Sequence, residues 1–156
     1  MRKTLFLILL IIFIIVPYLK ADGGHIYFNG GILADDSLSF DPYFWTIGSS
    51  FDLAINDTFS ISSEINAITY KMKFDTFWLE GAILANMNFE GFFMGGGLTK
   101  WFLIMDKSTS GHTDFALKLN AGFKSKHSLI RAYLITPFDT LFKKGMIIGV
   151  SVGFGF

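Results

Sequence analysis

Eight stretches of roughly 10 to 13 residues, all but the fifth alternating large apolar with small or polar side chains, follow one another along this chain. They cover 25–34, 43–55, 59–72, 76–88, 92–105, 114–124, 128–137 and 146–156. Period-two alternation is the pattern of a strand with two unlike faces, so the chain reads as all-β. The links between stretches alternate as well. "DDSLSFDP", "KFD", "DKSTSGHT" and "DTLFKKG" follow the odd-numbered stretches, and the tighter "NDT", "FEG" and "KSKH" follow the even ones. An even strand count with long links at one end and short links at the other predicts an eight-stranded antiparallel up-and-down transmembrane β-barrel. Tilted strands of about 9 to 11 residues also match the hydrocarbon thickness of a bilayer.

The two faces sort by chemistry. One collects Trp45, Ile47, Phe51, Leu53 and Ile55, then Phe77, Leu79, Ile83 and Met87, then Phe115, Leu117, Leu119, Ala121 and Phe123. It ends with Ile148, Val150, Val152, Phe154 and Phe156. The other collects Thr46, Gly48, Ser50 and Asp52, then Glu64, Asn66, Glu80, Asn86, Lys118, Asn120 and Arg131, then Gly149, Ser151, Gly153 and Gly155. A water-soluble ligand-binding barrel would carry a Lys- and Glu-rich exterior around an apolar interior. Here the polar face is glycine, serine and asparagine with few charges, which suits the crowded inside of a narrow barrel. The fifth stretch, "FFMGGGLTKWFLIM", is apolar on both faces; Gly95, Gly96 and Gly97 predict a bulge that shifts its register, and Lys100 has no clear side.

Composition agrees. Charged residues are 17% of the 156, against about 25% in an ordinary soluble domain, and 19 Phe and 16 Gly fill the difference. A soluble domain of this length would struggle to hide that much aromatic surface. At the N-terminal side "MRK" precedes an apolar run from Leu5 to Val16, then Pro17 and Ala21. The run is too short to span a membrane, so residues 1–21 read as a signal peptide cut after Ala21, leaving one barrel domain over 22–156; the large Leu19 keeps an uncleaved anchor as the alternative. Ten basic residues then face thirteen acidic ones, a balance that argues against nucleic acid as a partner. With no cysteine, neither a lipid-modified cysteine nor a disulfide framework is available.

The aromatics gather at stretch ends, as interfacial girdles require. Tyr43, Phe44, Trp45, Tyr70, Phe77, Trp78, Trp101, Phe102, Phe115 and Phe138 mark one end. Tyr27, Phe28, Phe59, Phe89, Phe92, Phe93, Phe123, Phe154 and Phe156 mark the other, with Phe51 and Tyr133 near the middle.

In its apolar lead segment, its strand pattern and "IGVSVGFGF", the chain resembles the small eight-stranded outer-membrane barrel proteins of Gram-negative bacteria. That resemblance spans essentially all of 22–156. It implies residence in the bacterial outer membrane, contact with outer-membrane lipid, and insertion by the barrel assembly machinery. Ile148, Val150, Val152, Phe154 and Phe156 look like that family's assembly signal. The same barrel hosts structural proteins, adhesins, enzymes and narrow pores, so it implies no activity.

Chemistry must come from individual residues. Asp52, Glu64 and Glu80 face Lys118 and Arg131 inside, where eight strands leave space for side chains only. Buried charges must pair, so these five predict an ion-pair network plugging the lumen. Ser110, His112 and Asp114 have the residue types of a nucleophile, base and orienting acid, but an extended chain holds i and i+2 side chains about 7 Å apart, and a solvated loop is the plainer reading. Lipid-modifying hydrolases of the resembled family carry His and Ser two apart; His127 and Ser128 are adjacent and lack a nearby acid, and His25 suits a hydrogen bond at the rim. Asp35, Asp36 and Asp41 could hold a divalent cation, yet three loop aspartates are ordinarily just solvated. No metal, phosphate or nucleotide motif is present and no cofactor is expected. The expectation is a monomer with a structural or surface-interaction role; the alternatives are an outer-leaflet lipid-modifying enzyme using 106–114, or a narrow solute channel.

Overall fold

The computed structural model describes residues 24–35, 44–70, 72, 75–105 and 108–156. Residues 1–21, expected to be a signal peptide, and Asp36, Asp41 and Tyr43 lie outside them. Among the described residues there are nine strands: β1 (Gly24–Asp35), β2 (Phe44–Ala54), β3 (Phe59–Tyr70), β4 (Thr76–Phe89), β5 (Phe92–Met105), β6 (Ser108–His112), β7 (Ala116–Lys124), β8 (Ser128–Pro137) and β9 (Ile147–Gly155). Every pairing is antiparallel, and β1-β2-β3-β4-β5-β7-β8-β9 close into a ring through the β1–β9 pair. Closure leaves none of these eight strands at a sheet edge, which is what a sheet in hydrocarbon requires.

The ninth strand, β6, is an addition to the eight read from the sequence. It pairs with the C-terminal end of β5 on the edge that β7 takes lower down, extending that hairpin past the end of β7. Its register slips by one residue, since Leu103 opposes Gly111 while Ile104 opposes Thr109, which leaves Ser110 as a bulge. The bulge expected at Gly95–Gly97 is absent. β5 runs in unbroken register against β4 from Phe92 to Met105 and against β7 from Phe92 to Thr99. Those glycines are there for space: a Cβ on Gly95 would strike the Ala85 carbonyl and the Asn86 side chain, and one on Gly97 the Ile83 carbonyl. Unbroken register also settles Lys100, which shares the outward parity of Met94 and Leu98 and lies 4.9 Å from the Phe115 ring centroid.

One end of the ring is built from tight turns. Asn56 accepts hydrogen bonds from the amides of Thr58 (2.9 Å) and Phe59 (2.8 Å), fixing the β2–β3 turn. Glu90 and Gly91 join β4 to β5 with φ of 45° and 96°, the paired positive values of a two-residue type I′ hairpin. The third turn is closed by Ser125, whose hydroxyl meets that of Ser128 at 2.8 Å and accepts from the Ser128 amide at 3.1 Å. The opposite end carries the longer links and is called the loop end below.

Alternation decides what each face meets. Phe154 (70% exposed), Ile83 (66%) and Phe123 (63%) stand on the outside, while Lys118 (0%), Glu80 (1%) and Glu64 (2%) are buried within. An apolar exterior around a charged interior is the inverse of a water-soluble barrel, and so large a greasy surface demands a nonaqueous neighbour.

The interior is layered along its axis. Tyr27, Phe93 and Leu129 cluster at the turn end. Leu33, Ile68, Tyr133 and Ile135 cluster at the loop end, with Phe44, Trp78 and Trp101 packed against them. Polar groups lie between. This corrects the girdle assignment for Phe44, Trp78, Trp101, Tyr27 and Phe93, which share parity with inward residues and pack inside. Gly149 makes room for this arrangement, because a Cβ there would collide with the Tyr133 ring.

Candidate functional site: the charged layer of the lumen

Four of the five charged residues assigned to the lumen meet in its middle. β3 presents Glu64, β4 Glu80, β7 Lys118 and β8 Arg131. Lys118 Nζ lies 2.8 Å from a carboxylate oxygen of Glu64 and 2.8 Å from one of Glu80. Arg131 pairs through Nη1 with Glu64 and donates through Nε to the Ser151 hydroxyl at 3.0 Å. Asn66 donates to Glu80 at 2.8 Å and Thr99 to the same carboxylate at 3.0 Å. The Lys118 ammonium also stands 4.5 Å from the Tyr133 ring centroid. Two anions and two cations, all buried, sum to zero charge. Removing such groups from water is costly, and pairing plus full hydrogen bonding is what makes it tolerable.

Asp52 is not part of this cluster. It pairs instead with Lys124 near the turn end, at 2.5 Å, and accepts from the Ser62 hydroxyl at 2.6 Å. Lys124 also donates to Ser60 at 3.1 Å. Lys124, the last residue of the sixth stretch and the first of the turn "KSKH", was not among the lumen charges read from the sequence; its parity with Lys118, Asn120 and Gly122 marks it as inward. Between the two charged groups lies a cavity of about 10 Å³, lined in part by Ser50, Asn86, Asn120 and Arg131. That is room for about one water molecule.

The other candidates are not assembled. Ser110 and His112 lie exposed on β6, and Asp114 is exposed beyond it. His112 Nδ1 faces the Thr113 carbonyl at 3.2 Å, and among the described residues no hydrogen bond joins it to Ser110 or Asp114. Ser128 is engaged by Ser125 rather than by His127. Asp35 ends β1 and is exposed. No group of three His, Cys, Asp or Glu side chains able to hold a metal occurs among the described residues. Ile148, Val150, Val152 and Phe154 occupy the outer face of β9. Phe156 follows on the same side, its amide donating to the Ile26 carbonyl at 3.1 Å and its ring meeting Phe28 edge-on, centroids 5.8 Å apart.

A closed ring of eight antiparallel strands with tight turns at one end and an apolar exterior is the fold of the small outer-membrane barrels. Comparison with solved structures agrees. The N-terminal β-barrel domain of Pseudomonas aeruginosa OprF superposes with a TM-score of 0.52 at 16% identity, over 85% of this chain and 97% of that one. Neisserial surface protein A superposes with a TM-score of 0.50 at 11% identity, over 85% and 96%. No protein-family model matches the sequence, and no curated protein does. At these identities the likeness is one of fold.

Proposed function

We infer that this chain is an integral barrel of the bacterial outer membrane, monomeric, with a structural or surface-interaction role and a lumen plugged by its own side chains. The observation that carries the reading is the neutral, fully buried cluster of Glu64, Glu80, Lys118 and Arg131, with apolar layers on either side. A conducting pore of this width would need uncompensated polar groups facing water; here the charges face each other. The tight-turn end lies in the periplasm and the loop end outside the cell, as the resemblance implies. Outward Ile148, Val150, Val152, Phe154 and Phe156 are proposed as the segment the barrel assembly machinery engages.

Reconstitution into planar bilayers tests the plug. The purified barrel should show no unit conductance in molar KCl. Stepwise ionic currents from the parent protein, abolished by replacing Arg131 or Glu64, would contradict the reading in favour of a narrow channel.

A further inference from the structure

Above the charged layer, a cleft of about 750 Å³ opens at the loop end between β7, β8 and the 138–145 turn. Its walls are Trp78, Trp101, Pro137 and Phe138, and Asp114 and Asp139 are on its lining. The two indoles lean together, centroids 6.3 Å apart and planes tilted by 52°, so they meet at an angle and form one aromatic wall rather than stacking flat. The volume is in the range of small-molecule sites, and its floor is shut by the lumen packing beneath.

The charged residues on the lining of this cleft, Asp114 and Asp139, are both acidic. Neither Asp114 nor Asp139 forms an ion pair among the described residues. Among the described residues, no cation lies on its lining. Lys118 is held by Glu64 and Glu80 below, and Lys100 lies against the Phe102 and Phe115 rings from the outer face. Lys143 and Lys144 are exposed in the adjoining turn and pair with neither aspartate. Indole faces attract cations through their quadrupole, and unpaired carboxylates beside them add a full negative charge. A neutral apolar molecule would use the rings and leave two carboxylates partly desolvated without a partner, a cost that selects against it.

We propose that this cleft binds a small organic cation, an alkylated ammonium group seated against the angled wall that Trp78 and Trp101 form together, with Asp114 and Asp139 as its counter-charges. This goes beyond the structural role inferred above and does not depend on which way the barrel faces.

The test uses the refolded full barrel in a maltoside detergent, because phosphocholine detergents would themselves compete. Choline is titrated against 3,3-dimethyl-1-butanol, its uncharged isostere, while the indole Nε1–H resonances of Trp78 and Trp101 are followed and Trp45, outside the cleft, serves as reference. Choline should shift the two cleft indoles saturably and bind about tenfold more tightly than the isostere. The paired Asp114→Asn and Asp139→Asn variant, shown to be folded by an unchanged mobility difference on boiling, should lose that preference. Equal affinity for the two ligands, no saturable choline shift, or an unaffected asparagine variant would each overturn the proposal. The conductance result is independent of all three.

Discussion

The Lys118 ammonium on β7 reaches the Glu64 carboxylate on β3 across the lumen, 2.8 Å away and 54 residues apart in sequence. Strand neighbours could not make this contact, since β3 and β7 are not adjacent in the ring. The pair therefore ties opposite walls together. Replacing Lys118 by Met leaves two buried carboxylates with one cation, and should cost about 3 to 5 kcal/mol in urea unfolding from lipid vesicles. Adding Glu80→Gln to Lys118→Met restores neutrality and should recover part of that loss. A double variant as unstable as the sum of the singles would show that the charges do not act together.

Glycine positions should divide by the face they occupy. Gly149 points inward against Tyr133 and Leu33, and Gly149→Val should cost several kcal/mol or block folding, as overpacking does in a filled core. Gly30 lies on the outer face with nothing within 4 Å of a new Cβ. Gly30→Ala should change the same unfolding midpoint by no more than about 0.5 kcal/mol.

Phe156 is bound to β1 by both backbone and ring, through Ile26 and Phe28. Phe156→Asp would put a charge beside Phe28 on the apolar exterior. The amount of folded barrel in membranes should fall several-fold, measured by the fraction that resists denaturation without boiling, whereas Phe156→Tyr should behave as the parent. Normal yield of the aspartate variant would count against a role for this strand in assembly.

The segment containing Ser110, His112 and Asp114 is built as an exposed extension, with Ser110 in the bulge. Replacing all three by Ala should leave folding yield and unfolding midpoint within about 0.5 kcal/mol of the parent, and the host's outer-leaflet lipid composition unchanged by mass spectrometry. Altered lipid in the presence of the parent protein but not of the triple variant would revive the enzymatic alternative.

Much of the architecture was legible because a barrel strand writes its two environments into alternate residues. Ile148, Val150 and Val152 against Gly149, Ser151 and Gly153 is enough to orient β9. The interior aromatics were less legible, because position along a strand and side of the strand are separate variables. Trp78 lies near a strand end like Phe77, yet it shares parity with Glu80 and packs inward. Parity would also have found Lys124. Pairing across the lumen was out of reach: Asp52 and Lys124 are 72 residues apart, and nothing local says which cation it meets. β6 escaped notice because backbone pairing with β5, rather than an apolar face, holds its exposed serines and threonine. The Gly95–Gly97 run was misjudged for a related reason: glycine permits a bulge, but it also permits close approach, and here Asn86 and the β4 carbonyls take the space.

Fractionation combined with gel mobility tests the central claim most directly. The account predicts that the chain is found in the outer-membrane fraction, resists extraction by carbonate, and migrates differently before and after boiling. A chain recovered soluble in the periplasm, with the same mobility either way, would contradict it.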